Sequence, residues 1–430
     1  MELFEVSEWR CHIPSNSINF EHEAGRTPHT SQLIYLPTAL DFNHPKVQQI
    51  LGAADILIFQ RNCITSDVWQ SMDYWRALGK IVTVDLQSDD HYSALPPSNP
   101  AHAYWILNKG NMPQDPVDAL AEGLRHADAL TSPSKILLQD WEHIVPGFHI
   151  PNWPRRAWYE QCNPKPLGER DIAFGYEKDP NNDNVLFQGR FREGSEGQII
   201  IGWGGSISHV DSWVYSGAIE ALDTLFEKYP NLRLKWCGYE NRLDYLLSRW
   251  GDKVIRQLGV KPEHWPFVVS TFDIGVAPLD MRPVPSNTGK DGEIKWDGGK
   301  YSYDERRSWL KGVEYMAAGI PWLATRSATY EGLAHHGTMV ENSMDNHAQR
   351  VDNWTRALDT AIQNIEARKK LALEKKKWVL KRMTMEGRVQ EYVETFERIG
   401  NLKRANQQKA ILPGVTWNKA QVPQPVLPNA

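Results

Sequence analysis

Short apolar runs alternate with longer, polar-edged stretches along most of the chain. In the first half the runs are Gln32-Leu33-Ile34-Tyr35-Leu36 before Pro37, Ala54-Asp55-Ile56-Leu57-Ile58-Phe59-Gln60, Ile81-Val82-Thr83-Val84-Asp85 and Ala129-Leu130-Thr131. Apolar runs this short, bounded by turn residues, predict strands buried on both faces. Between them 67–78, 115–127 and 133–144 have helical character; the first stops at Gly79 and the last opens with Pro133. Strands separated by helices imply βαβ units and a parallel sheet. From about 163 to 198 the rhythm gives way to polar sequence with Asn181-Asn182-Asp183-Asn184, which reads as linker plus insertion. It then resumes, with strands expected at 198–201, 232–237, 272–277 and 321–325 and helices at 212–229 and 308–318.

The pattern predicts two successive α/β halves without a sequence repeat between them. We place the first at 1–165, a linker at 166–197, the second at 198–385 with an insertion at 280–304, and a C-terminal helix and extended tail at 386–430. Open α/β sheets bind ligands beyond the carboxyl ends of their strands, so the cleft between the halves is the expected site.

Composition narrows the class. Hydrophobic residues make up 41% and charged residues 23% of 430, enough for packed cores and too apolar for wholesale disorder. No stretch approaches the roughly 18 apolar residues of a membrane span. The start, Met1-Glu2-Leu3-Phe4-Glu5, lacks the layout of a signal peptide. Cys11, Cys63, Cys162 and Cys237 are scattered without a C-x-x-C, which argues against a disulfide framework or structural zinc and fits a cytoplasmic location. The net charge of −5 argues against a surface that grips nucleic acid as a whole. Locally, 366–388 carries nine Lys/Arg against three Glu, which at helical period reads as a solvated face. From Asn401 onward there are four Pro and no acid, the composition of an extended tail. The 18 tryptophans suggest that some line clefts, though any single one is better read as core.

Three segments have chemistry-bearing patterns. Gly202-Trp203-Gly204-Gly205-Ser206 directly follows the 198–201 strand, and Ser208-x-x-Asp211 then has the spacing of a capping box. Such a turn lets backbone approach a ligand, and free N–H groups at the next helix suit a phosphate. A tight turn without ligand explains the glycines as well. The spacing matches neither G-x-G-x-x-G nor a P-loop. His209 is a candidate phosphate donor beside this turn, and Gly238 ends the neighbouring 232–237 run. In the second segment Arg307, Lys311 and Glu314 share one helix face at i, i+4 and i+7, and the helix stops at Gly319 before Pro321. Two cations and a carboxylate one turn on suit a nucleoside diphosphate, with Glu314 accepting from ribose hydroxyls; an exposed charge ladder is the alternative. The third is Asp85-Leu86-Gln87-Ser88-Asp89-Asp90-His91, where Asp89, Asp90 and His91 are candidate catalytic groups for orienting an acceptor hydroxyl. A Mg²⁺ or Mn²⁺ site and a loop-capping cluster are the other readings of that run. Arg61 and Arg10 are further candidates.

Taken together these pieces resemble retaining glycosyltransferases of the GT-B fold, specifically family four. The resemblance rests on Ile201-Gly202-Trp203-Gly204-Gly205-Ser206, Phe272-Asp273-Ile274-Gly275-Val276-Ala277-Pro278-Leu279, and Arg307-Ser308-x-x-Lys311-x-x-Glu314-Tyr315-x-x-x-Gly319-Ile320-Pro321. In the first half, 54–61, 79–85, Leu95-Pro96 and 127–131 look like the same group, so the likeness runs in order from about 50 to 345. It implies an α/β fold of two Rossmann-like, doubly wound parallel-sheet domains facing a central cleft. It implies transfer of a sugar from a nucleoside-diphosphate sugar, a UDP-sugar being the expected donor, to an acceptor with retention at the anomeric carbon. Gly204, Gly205, Ser206, His209, Gly238, Arg307, Ser308, Lys311 and Glu314 would hold the donor. Lys311 would also act on the leaving diphosphate. No metal would be required, because fixed dipoles and cations supply the electrostatic stabilisation.

The chain departs from the family in three places. Arg307 stands where relatives carry Lys. Arg306 occupies the position of a first Glu eight residues before Glu314, with Glu305 beside it. A long Gly-, Lys- and Asp-rich insertion containing Trp296 separates Leu279 from Glu305. The acceptor is left open between glycan, small molecule and DNA. A phage-type enzyme acting on hydroxymethylated bases, in the host cytoplasm, would use 366–388 and the tail as DNA contacts. A non-catalytic nucleotide-sugar binder and a nicotinamide oxidoreductase are the readings from other classes.

Overall fold

The computed structural model describes residues 8–34, 44–61, 63–87, 95, 99, 116–162, 164, 173–178, 185–190, 197–238, 244–257, 260–283, 301–343 and 346–409. Two parallel sheets organise them. The first contains β1 (Ile56–Gln60), β2 (Ile81–Asp85), β3 (Ala129–Ser132) and β4 (Gly147–His149), side by side in chain order. A hairpin, β5 (Ala173–Lys178) with β6 (Val185–Arg190), follows. The second sheet holds β7 (Ile199–Gly205), β8 (Leu232–Gly238), β9 (Val254–Gln257), β10 (Ile274–Ala277), β11 (Trp322–Thr325) and β12 (Thr338–Val340). Its order is β12-β11-β10-β7-β8-β9, with every pair parallel. The chain thus winds outward from β7 to β9, returns to β10 on the other side of β7 and winds outward again. The gap between the ends of β7 and β10 is a topological switch point, where the connections leave in opposite directions and open a crevice.

The apolar runs form these strands because both faces are covered: every residue of β2, β3, β10 and β11 is buried. Helices Ser66–Ala77 and Pro116–Arg125 supply Val68, Met72, Trp75, Leu120 and Leu124 to the core around Val82, Val84 and Leu130. The last helix, Met385–Lys409, returns to the first sheet, where Ile399 joins Ile81 and Ala129. A second cluster runs through both halves, uniting Ile150, Trp153 and Tyr159 with Phe272, Val313 and Tyr315 and with Val389 and Tyr392 of that helix.

Several expectations change. The 212–229 helix is two helices, Val210–Ser216 and Ala218–Lys228, broken at Gly217 with φ 87°. A Cβ there would lie 2.7 Å from the Val351 backbone nitrogen, so only glycine admits the neighbouring helix His347–Gln363. The stretch read as linker contains the β5–β6 hairpin. Residues 401–409, expected in an extended tail, continue the final helix, whose apolar positions 385, 389, 392, 393, 396 and 399 keep helical period. Residues 32–34 form no strand, and 35–36 lie outside the described residues, as does 410–430.

Candidate functional site

The glycine-rich segment sits at the switch point, but its glycines serve the protein's own aromatic packing. Residues 202–205 belong to β7. A Cβ on Gly202 would lie 2.0 Å from the Phe272 ring, one on Gly204 2.3 Å from Trp265, and one on Gly205 2.5 Å from Trp203. Gly238 closes β8 against this end, its position for a Cβ 2.1 Å from the Gly205 carbonyl oxygen. Under the loop Trp203, Trp213 and Trp236 pack together, with ring centroids 4.2–5.7 Å apart. The capping box does not form. No side chain caps helix Val210–Ser216; Ser208 shares a 3.0 Å hydrogen bond with Ser206, and Asp211 receives Arg282 at 3.2 Å.

The segment 301–318 folds against this loop. It opens with a single 3₁₀ turn, Asp304–Arg306, passes through Arg307 in an extended conformation and continues as helix Leu310–Ala318, which ends at Gly319 with φ 76°, so Arg307 does not share the helix face expected of it with Lys311 and Glu314. Asp304 is fully buried and accepts from Ser212 Oγ at 2.5 Å, Asp280 N at 2.6 Å and Arg307 Nε at 2.6 Å. That carboxylate aims the Arg307 guanidinium. Arg307 Nη2 donates to the Ser208 carbonyl at 2.8 Å, Nη1 meets His209 Nε2 at 3.0 Å, and the guanidinium lies 4.9 Å from the Tyr303 ring centroid. Lys311 Nζ reaches the same His209 nitrogen at 2.9 Å. Arg and Lys only donate, so Nε2 accepts and the imidazole is neutral with its proton on Nδ1. Burial, with Arg307 and Lys311 alongside, holds the His209 pKa well below its usual range. His209 is therefore an acceptor for two cations in this state, not the phosphate donor expected of it.

Glu314 lies one turn beyond Lys311 and is buried. Burial pushes its carboxyl up to about 7, against the pull of the Trp265 indole, the Lys311 ammonium and the Tyr159 hydroxyl. Ser308 Oγ meets Asn152 Nδ2 at 3.5 Å, and Asn99 Nδ2 donates to the Ser208 carbonyl at 2.9 Å, so residues preceding the linker reach the same loop.

Arg306, at the position of the family's first Glu, has a different partner. It pairs with Asp140 of the first half through Nε at 2.7 Å and Nη2 at 3.0 Å, and its Nη1 donates to the Tyr301 and Ser302 carbonyls at 2.9 Å each. Glu305 is consumed locally, accepting from the Ser302 and Ala328 amides. Arg10 is likewise a strut. It holds Asp85 at 3.0 Å through Nε, the Ile150 carbonyl at 2.5 Å and Asn152 at 3.1 Å, tying the carboxyl ends of β2 and β4 together. Asp85 also accepts from Thr131 at 2.6 Å. Arg61, just past β1, has φ 58°, an unusual backbone state for a residue with a side chain. Asp89, Asp90 and His91 lie outside the described residues, as does most of the 280–304 insertion. Among the described residues no three His, Cys, Asp or Glu side chains gather as a metal site would need.

Sequence reasoning missed Asp304, Ser212, Asp140, Trp265 and Tyr159. Only Asp304 left a local signal, a carboxylate three residues before Arg307. The others reach the site from distant segments.

No known protein-family profile matches the chain, and no curated protein matches it. Solved structures do. HepE from Anabaena in complex with UDP aligns at 12% identity over 90% of this chain and 95% of that one, with a TM-score of 0.50. Its complex with UDP-glucose aligns at 13% identity, the same coverage and the same score. Sucrose-phosphate synthase from Thermosynechococcus elongatus aligns at 14% identity over 87% of this chain and 84% of that one, with a TM-score of 0.49. The two parallel α/β sheets and the likeness to the two HepE complexes give the chain the GT-B fold.

Proposed function

We propose that the chain is a glycosyltransferase that moves a sugar from a nucleoside-diphosphate sugar to an acceptor hydroxyl with retention of anomeric configuration. One observation carries this reading. Two cations, Arg307 and Lys311, converge on a single neutral imidazole at the switch point of the second sheet. Like charges brought to one acceptor repel, and a bound dianion relieves them. A diphosphate offers two anionic groups to the two cations that meet at His209.

In this mechanism the bond between the anomeric carbon and the diphosphate oxygen breaks. The acceptor oxygen bonds to the same face of that carbon, and its proton leaves with the departing phosphate. Arg307 and Lys311 take up the charge growing on the leaving group, His209 keeps them in register, and Glu314 receives the ribose hydroxyls. Gly204, Gly205, Ser206 and Gly238 form the wall against which the phosphates lie, with Ser308 beside Arg307. Asp89, Asp90 and His91, just beyond β2 in sequence, are our candidates for orienting the acceptor. The fold likeness to a protein solved with UDP and with UDP-glucose makes UDP-sugars the first donors to test.

The test is a panel of nucleotide sugars followed by thermal unfolding, then donor turnover. A true donor raises apparent stability with the logarithm of its concentration. We expect a UDP-sugar to do so, Glu314→Ala to weaken that shift and Lys311→Ala to slow turnover. Wild-type donor binding and hydrolysis in both variants would overturn the assignment.

A further inference from the structure

Helix Ile365–Arg382 packs against helix Leu310–Ala318, with Val379 in the core that holds Val313 and Tyr315, and buries Ile365 and Lys376 as well. Eight of its 18 residues are Lys or Arg and only two, Glu366 and Glu374, are acidic. Three cations turn inward: Arg368 to Thr338 Oγ1 at 2.8 Å, Lys369 to Asp273 at 2.8 Å and Lys376 to the Cys162 carbonyl. Lys370, Lys377, Lys381 and Arg382 are exposed. The same outer surface carries Leu371 at 52% exposure and Trp378 at 42%, while Leu373, at 49%, lies on the flank toward Gly319. Seven large apolar side chains are exposed among the described residues, and three of them lie on this one helix. Single exposed apolar residues are ordinary; a cluster on a cationic helix calls for a partner.

The spacing makes the surface two-sided. Leu371 and Trp378 are seven residues apart and share a stripe, while Lys370, Lys377 and Lys381 form the stripe beside it. Trp378 is flanked by the His336 ring at 5.1 Å, and Lys375 and His335 lie near that imidazole. The groups facing this surface are thus cationic or neutral apart from Glu366 and Glu374. A solvated charged face, the expectation from sequence, has no use for the leucines. Nucleic acid would engage the lysines through phosphate but would leave the aliphatic side chains in water. An anionic bilayer surface serves both, since headgroup phosphates meet lysines and the acyl boundary takes Leu and Trp.

We infer that this face docks the protein on an anionic lipid surface. The contact is peripheral: no helix among the described residues is long and apolar enough to cross a membrane. It does not depend on the donor-site reading.

Vesicle flotation of the full chain tests it, comparing phosphatidylglycerol-containing vesicles with pure phosphatidylcholine. Binding to the anionic vesicles alone, weakening with salt, is expected. Lys370→Glu with Lys377→Glu and Lys381→Glu should lower partitioning by at least roughly a hundred-fold. Leu371→Ser with Trp378→Ser, which leaves every charge in place, should lower it roughly tenfold. Both sets lie on the surface, so unchanged melting temperatures report an intact fold. No binding to anionic vesicles, or binding indifferent to both sets, overturns the inference. So does duplex-DNA binding that the charge reversal abolishes and the Leu371/Trp378 pair leaves untouched, which would assign the face to nucleic acid.

Discussion

Around the segment 301–314 the molecule treats buried cations in two opposite ways. At the junction of the two halves Arg306 meets Asp140 with two hydrogen bonds and spends its remaining donors on two carbonyls, so the charge is matched and nearly every N–H is used. One residue later Arg307, together with Lys311, is brought to a neutral His209, and Asp304 braces only one of the pair. The first arrangement is complete by itself and holds the halves together. The second concentrates positive charge beside a crevice. Burial alone therefore does not separate structural from functional charges; what the cation meets does.

The comparison is broken most easily at the closed pair. Asp140→Ala strands a buried guanidinium and should cost about 3–5 kcal/mol in urea unfolding, while Asp140→Leu with Arg306→Met should recover most of it. A loss below about 1 kcal/mol would show that the pair is not a structural closure. Lys311→Ala should behave in the reverse way. Donor turnover falls by a factor on the order of 10²–10³, while unfolding free energy stays within about 1 kcal/mol of wild type.

Glu314 sharpens the contrast through pH. Its folded pKa of about 7 lies above the ordinary value of 4.5, so the folded state holds a proton that the unfolded state has released. Stability from this group is therefore full below about 4.5 and declines as pH rises to about 7. The total is about 3 kcal/mol at pH 8 in the ligand-free protein. Glu314→Gln should remove that decline and be the more stable protein at pH 8. His209 acts with the opposite sign: its depressed folded pKa means stability falls as pH drops below the ordinary value of 6.5. Thermal melts of wild type, Glu314→Gln and His209→Gln across pH 5–8 separate the two slopes. The smallest expected effect is at Gly204. Gly204→Ala should cost about 1–3 kcal/mol by driving a methyl into Trp265, with partial rescue by Trp265→Leu.

Much of this architecture was legible in the sequence. The apolar runs marking β2, β3, β7, β8, β10 and β11 lie where both faces are largely buried, whereas β1 leaves Ile58 exposed; Arg307 and Lys311 both reach His209, Arg307 from outside the helix expected to hold it. Strands β4 and β12 escaped because three residues carry too little pattern, and β9 because only two of its four residues, Val254 and Ile255, are apolar. The glycines at 202, 204 and 205 were read as a turn, but they lie within β7, and what surrounds them was hidden. Phe272 and Trp265 come from 60 to 70 positions away, and no local pattern announces that a ring will occupy the space a Cβ would need. Arg306 was visible as a departure; its partner, 166 residues distant, was not. Local signals mark elements, whereas long-range pairing decides which charges are spent.

The final helix has a consequence for synthesis. Ile399 lies against Ile81 and Ala129, so the earliest-made sheet lacks that cover until nearly four hundred residues have been translated. The second sheet waits nearly as long, because Val389 and Tyr392 of the same helix complete the cluster around Phe272, Tyr315 and Trp322. Both halves are thus closed by one late-made helix, and shortening the carboxyl end removes cover from both sheets at once.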